Sequence, residues 1–102
     1  MRRIETGILP GGSDLSEMDL IGIVSGSAAV TNGYSNIIGI VSGDLKVSQS
    51  SFVEIRGIIS GNLIIEGQVT LYGIVSGDVF LKPGGKFEPQ EKSTFRNLFT
   101  HE

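Results

Sequence analysis

Gly22-Ile23-Val24-Ser25-Gly26 returns as Gly39-Ile40-Val41-Ser42-Gly43, Gly57-Ile58-Ile59-Ser60-Gly61 and Gly73-Ile74-Val75-Ser76-Gly77, at intervals of 17, 18 and 16 residues. So even a spacing marks a structural repeat. The match continues past the pentapeptide. Its sixth position is Ser27, Asp44, Asn62 and Asp78, its seventh Ala28, Leu45, Leu63 and Val79, and its ninth Val30, Val47, Ile65 and Leu81. At every second residue the middle copies read Val41-Gly43-Leu45-Val47 and Ile59-Gly61-Leu63-Ile65. This is strand alternation with one apolar face. Ser42, Asp44, Lys46, Ser60 and Asn62 fall on the opposite, polar face.

A period of 16–18 residues is too short for a helix pair, which needs more than about 30. It fits one coil of a parallel β-helix, with three short strands per coil and coils about 4.8 Å apart. The expected fold is therefore all-β, a single-domain solenoid of about four coils with capped ends. Its inward columns are Val24, Val30, Val41, Leu45, Val47, Ile59, Leu63, Ile65, Val75, Val79 and Leu81. The two glycine columns mark the corners, where chain bends or backbones approach closely. An antiparallel sandwich of short strands is the competing fold, with turns every 8–12 residues. It gives no reason for identical residues to recur in register.

The repeats span residues 20–88. Residues 1–19 are expected to form an N-terminal cap or partial coil. Ile8 and Leu9 supply apolar cover, and Leu15, Met18, Leu20 and Ile21 begin an incomplete first turn. Solenoid ends expose core and strand edge, so they need a cover or a partner. Residues 89–102 are expected to be a C-terminal cap or tail. Phe95, Leu98 and Phe99 stand at i, i+3, i+4, the helical template, and Phe87 can join them over the last coil. The same apolar residues could instead dock another chain.

Composition narrows the function. Glycine is 15 of 102 residues, there is no Trp, and the apolar content is mostly Ile, Val and Leu, a strand-forming palette. The net charge is −3 and the eight Lys and Arg are scattered, which disfavours nucleic acid. Without cysteine, disulfides and thiolate metal sites are excluded. No apolar run of signal-peptide length follows Arg2 and Arg3, and no stretch approaches the roughly 18 apolar residues of a membrane span. The expectation is a cytoplasmic protein.

Catalytic groups are scarce. The only histidine, His101, lies next to the C-terminus, where a general base would be poorly held. Hexapeptide-repeat acyltransferases place a histidine in a coil, and none of these repeats contains one. Asp44 and Asp78 are two coils and about 10 Å apart, too far to share a Ca²⁺ at 2.3–2.6 Å. No phosphate loop Gly-x-x-x-x-Gly-Lys-Ser/Thr occurs. Tyr34, Phe52, Tyr72 and Phe80 are few and fall at different repeat positions, which disfavours a sugar platform. Neither catalytic residue nor cofactor is expected.

The pattern Val-x-Gly-Asp-Leu-x-Val, with Gly-x-Val-x-Gly at the coil start, resembles the bactofilins over residues 20–88. Leu71-Tyr72-Gly73-Ile74-Val75-Ser76-Gly77-Asp78-Val79 carries the likeness most fully. The resemblance implies a right-handed, three-sided parallel β-helix. It also implies nucleotide-free polymerisation by end-to-end stacking, in a bacterial cytoskeletal scaffold. The sequence is equally similar to short bacterial solenoids of the Gly-x-Val-x-Gly-Asp-Val type. A hexad spacing through Val41, Val47, Val53, Ile59, Ile65 and Leu71 is shared with left-handed hexapeptide helices, so the residues leave the hand open. The first functional expectation is a non-enzymatic scaffold whose partner is itself. The second is a small acidic protein that occludes a basic site, as a toxin immunity protein does.

Overall fold

The computed structural model describes residues 3–100, so His101 lies outside the described residues. The chain winds through three strands per coil. The first coil holds β1 (Arg3–Glu5), β2 (Ile8–Leu9) and β3 (Ser13–Asp14), and the second β4 (Met18–Leu20), β5 (Ile23–Val24) and β6 (Ala28–Val30). The third holds β7 (Gly33–Ile37), β8 (Ile40–Val41) and β9 (Leu45–Val47). The fourth holds β10 (Ser51–Ile55), β11 (Ile58–Ile59) and β12 (Leu63–Ile65), and the fifth β13 (Gln68–Leu71), β14 (Ile74–Val75) and β15 (Val79–Leu81). The last holds β16 (Lys86–Pro89) and β17 (Leu98–Thr100), with Thr94 making one bridge to Ile74 between them.

Each of the first five coils contributes one strand to each of three sheets, and the last contributes to two of them. Their orders are β1-β4-β7-β10-β13-β16, β14-β11-β8-β5-β2 and β17-β15-β12-β9-β6-β3. Here they are called the first, second and third sheet. Every strand pair is parallel, which removes the antiparallel sandwich. The result is a three-sided β-solenoid of about six turns, 35 × 24 × 24 Å.

Six turns replace the four expected, because both flanks join the ladder. Gly7-Ile8-Leu9-Pro10-Gly11 is a degenerate copy of the pentapeptide, and Ile8 pairs with Ile23. Residues 3–14 are thus the first coil, not a cap laid across the repeats. At the other end no helix forms among the described residues. The stretch is too short to hold a helix alone, whereas the open edge of the fifth coil offers a ready set of backbone partners. Val75 N donates to Thr94 O and Val79 N to Asn97 O, at 2.8 Å each.

Registration puts like on like. Leu9, Val24, Val41, Ile59 and Val75 stack in the second sheet, and Leu45, Leu63 and Val79 in the third. Val24, Val30, Val41, Leu45, Val47, Ile59, Leu63, Ile65, Val75 and Val79 are buried, and Leu81, nearer the end, is partly buried. The first sheet adds Leu20, Ile37, Ile55 and Leu71. Two buried serines are satisfied across the coils. Ser35 Oγ donates to Leu15 O at 2.6 Å and Ser51 Oγ to Val30 O at 3.0 Å.

Two of the three corners are invariant. Over the first five coils two residues link the first sheet to the second, and three link the second to the third. The return corner varies, and it absorbs the unequal repeat lengths. The invariant corners are set by close approach. A Cβ on Gly39 would fall on the carbonyl oxygen of Gly22, one on Gly57 on that of Gly39, and one on Gly73 on that of Gly57. These glycines do not adopt positive φ. What the position excludes is any side chain.

Gly57→Ala should therefore cost about 3 kcal/mol, because the obstructing atom is backbone and cannot turn aside. A denaturant midpoint close to the parent's would contradict this. Ile65→Asp buries an unpaired charge and should abolish the cooperative melt. Lys46→Asp on the exposed face of the neighbouring rung should change stability by less than about 0.5 kcal/mol.

Candidate interaction surfaces

One polar column climbs the corner between the second and third sheets. Asp44 N donates to Ser27 Oγ (3.1 Å), Asn62 N to Asp44 Oδ1 (2.7 Å) and Asp78 N to Asn62 Oδ1 (2.9 Å). Asn97 Nδ2 then donates to Asp78 Oδ1 at 3.1 Å. Each short side chain accepts the amide one coil further on. The corner amides point along the axis, and Ser, Asp and Asn have the reach to meet them. These side chains are occupied as structural acceptors. Among the described residues no group of three or more His, Cys, Asp or Glu is placed to hold a metal ion.

A second polar cluster ties the first coil to the next. Ser16 N donates to Asp14 Oδ1 at 3.0 Å, the Ser16 hydroxyl donates to the same oxygen at 2.5 Å, and Thr31 Oγ1 donates to Asp14 Oδ2 at 3.0 Å. The Ser16 hydroxyl, aided by the Thr31 contact, holds the Asp14 carboxyl below the ordinary Asp range.

The aromatic residues pair by rung. Tyr34 and Phe52 are register partners with stacked rings, 5.3 Å between centroids, and Phe80 and Phe99 repeat this at 5.4 Å. Tyr34 and Phe52 thus share one repeat position, against the sequence reading. The variable return corner between them obscured it. Beside Phe52 a shallow groove of about 390 Å³ runs along that corner past Gln49, Ser50, Gln68 and Lys86. Its lining contains no carboxylate or imidazole, so it offers no acid–base pair.

The two ends differ in chemistry. At the N-terminal end the inward positions are Glu5, Leu9 and Ser13, in register below Leu20, Val24 and Ala28. At the C-terminal end Phe87 lies over Val69 and Leu98 over Val79. Phe95 meets Phe87 edge-on, 5.4 Å between centroids. Of the residues expected to cap or assemble, Leu9, Phe87 and Phe95 are half-buried against the core, while Ile8, Leu98 and Phe99 are exposed.

The sequence reading missed an outward column. Ile8, Ile23, Ile40, Ile58 and Ile74 stack in register on the outer face of the second sheet. Ile21, Ile38 and Tyr72 continue the apolar surface onto the adjoining corner. The signal was present. If Val24 points inward, alternation turns Ile23 outward, and the same holds in every copy.

Family profiles, curated proteins and solved structures were all compared with the chain, and none matches. No helix among the described residues is long and apolar enough to cross a membrane.

The Asp14 cluster gives a pH prediction. A carboxyl held below its unfolded value stabilises the fold fully above that value, about 3.9 for Asp. The contribution is lost as pH falls through the lower folded value. Asp14→Ala should thus melt earlier than the parent at pH 7, and the gap should close in strong acid. A gap that persists at pH 2 would show that the carboxylate charge is not what the hydroxyls stabilise.

Proposed function

We propose that this chain is a non-enzymatic scaffold of the bactofilin-like kind that joins copies end to end. The observation that carries the reading is Gly7. In the repeats, the upper member of each stacked glycine pair has no room for a Cβ above the carbonyl below. Gly7 has no coil beneath it among the described residues. Its φ is not positive, and an added Cβ would meet only Glu5 Oε1, at 3.7 Å. Nothing among the described residues requires glycine there. A further coil with the two-residue corner of the repeats would require it, and in a second copy the last coil, with Ser93 at that place, would bring a backbone carbonyl beneath it.

The strand edges support the same reading. β1, β2 and β3 each have a partner on one side only, as do β16 and β17. Head-to-tail stacking continues the first and third sheets, sets β2 over the single Thr94 bridge of the second, and brings Phe87, Phe95 and Leu98 under Leu9 and Leu15. Such contacts are heterologous and leave both termini of the growing rod open. The joint is weaker than the internal ladder. Pro10 occupies the place where Ser25, Ser42, Ser60 and Ser76 use their amides, so one backbone donor is missing, and Glu5 adds a carboxylate to the core column. Reversible assembly follows. We assign the solenoid the right-handed sense that parallel crossovers nearly always take. We place it in the cytoplasm, which its lack of cysteine supports.

Gly7→Ala is the decisive variant. It should melt within about 1 kcal/mol of the parent, since the site is open and alanine narrows the unfolded ensemble. It should also lose the concentration-dependent growth of mass that light scattering and electron microscopy record for the parent. A parent that shows no open-ended growth near 1 mM, or a Gly7→Ala chain that grows equally well, would refute end-to-end joining.

A further inference from the structure

Among the described residues nothing covers the aliphatic face of the second sheet. Its outward positions over the first five coils are the Ile8, Ile23, Ile40, Ile58, Ile74 column and the exposed Ser25, Ser42, Ser60 and Ser76. The glycine corners leave it flat. Along the corner beside it run Thr6, Ile21, Ile38, Arg56 and Tyr72. Ile8 is 74% exposed, Ile21 49%, Ile38 43% and Ile74 42%. Over these five coils Arg56 is the only charged residue on the face or this corner. It is drawn aside. Its guanidinium lies 4.7 Å from the Tyr72 ring centroid, donates to Asn36 Oδ1 at 2.9 Å and pairs with Glu54 at 3.5 Å.

We propose that this face pairs with the same face of a second copy, the two solenoids running antiparallel. Three arguments select that occupant. The first is area. The exposed Ile and Tyr residues leave about 600 Å² of surface on one copy, so full pairing of two removes at most about 1,200 Å² from water, on the scale of the ~1,000 Å² a specific interface needs. The second is charge. An anionic membrane surface would call for a basic rim, and one neutralised arginine is not a rim. The third is spacing. Both faces carry isoleucines at the coil repeat of about 4.8 Å, so the five rungs of one face match those of the other rung for rung.

The antiparallel sense follows from the two flanks. A two-fold axis across the face lays the Ile21, Ile38, Tyr72 corner against its own copy and serine against serine. An axis along the solenoid would lay that apolar corner against the serines. The antiparallel arrangement also sets each Arg56 opposite the rung of Ile21, so the two cations do not meet. The pairing is closed and isologous. It does not rest on end-to-end stacking, because it uses a side of the rod and not its ends.

The chain has no cysteine, which allows a direct register test. The middle rung lies opposite itself, and facing sheets pack about 10 Å apart, so Ile40→Cys alone should be joined into dimers by a short thiol-to-thiol cross-linker. Ser42→Cys, on the same rung, is the reserve reporter. Ile23→Cys and Ile58→Cys should each link poorly alone and link well when mixed. In sedimentation, a Gly7→Ala background that blocks end joining should still show twice the chain mass. Ile40→Glu with Ile58→Glu should weaken that dimer at least 100-fold while leaving the circular dichroism spectrum and melt unchanged. If those glutamates prevent folding, Ser42→Glu should weaken it in their place. A single-chain mass near 1 mM in the Gly7→Ala background, or self-linking by Ile23→Cys as strong as by Ile40→Cys, would overturn the proposal. Failure of end growth with the dimer intact would leave it standing.

Discussion

Successive coils touch backbone to backbone at two corners, and the rest of the molecule is organised around that contact. The carbonyl of one glycine occupies the place where a Cβ on the glycine above would stand. This permits the coil spacing that parallel pairing demands, about 4.8 Å, to be kept around the bend as well as along the strands. A larger residue would splay the corner and pull the adjoining two-residue strands out of register. The second sheet is the most sensitive. Its strands contribute only one inward residue per coil, and their alignment is inherited from the glycines on either side.

Three devices share the work of holding the coils in order. Inward Val, Ile and Leu remove apolar surface from water along a continuous spine. The Ser27, Asp44, Asn62, Asp78 column meets amides at the corner. Ser35 and Ser51 hydroxyls donate to carbonyls across the coils inside the core. The apolar spine is indifferent to which coil sits on which. The polar column and the glycines are not, because each requires a particular neighbour one coil away. Register therefore comes from the corners and stability from the spine.

The repeat made coils two to five readable, since a nearly identical pentapeptide recurs in each. The inward columns followed from alternation alone. The first coil escaped because Pro10 replaces the serine and reads as the start of a turn, although Gly7, Ile8, Leu9 and Gly11 keep the frame. The last coil carries Ser93-Thr94-Phe95-Arg96-Asn97 where the others carry the pentapeptide, with no glycine at all. Only its open strand partners define it, and these lie in another coil. The isoleucine face was present in every copy, yet a residue shared by all copies reads as part of the fold. Its exposure depends on which side of a two-residue strand faces the spine. The Tyr34–Phe52 stack was hidden because the two residues are counted across the corner that varies in length.

That corner has a consequence of its own. Between Val30 and Gly33, Val47 and Ser51, Ile65 and Gln68, and Leu81 and Lys86, the link takes two, three, two and four residues, while the strands on either side stay in pair. Length is thus decoupled from alignment on one edge of the prism. A segment inserted there would project as an appendage and leave the paired strands undisturbed. Evolution, or a protein engineer, can diversify this edge as an antibody varies its loops on a constant framework.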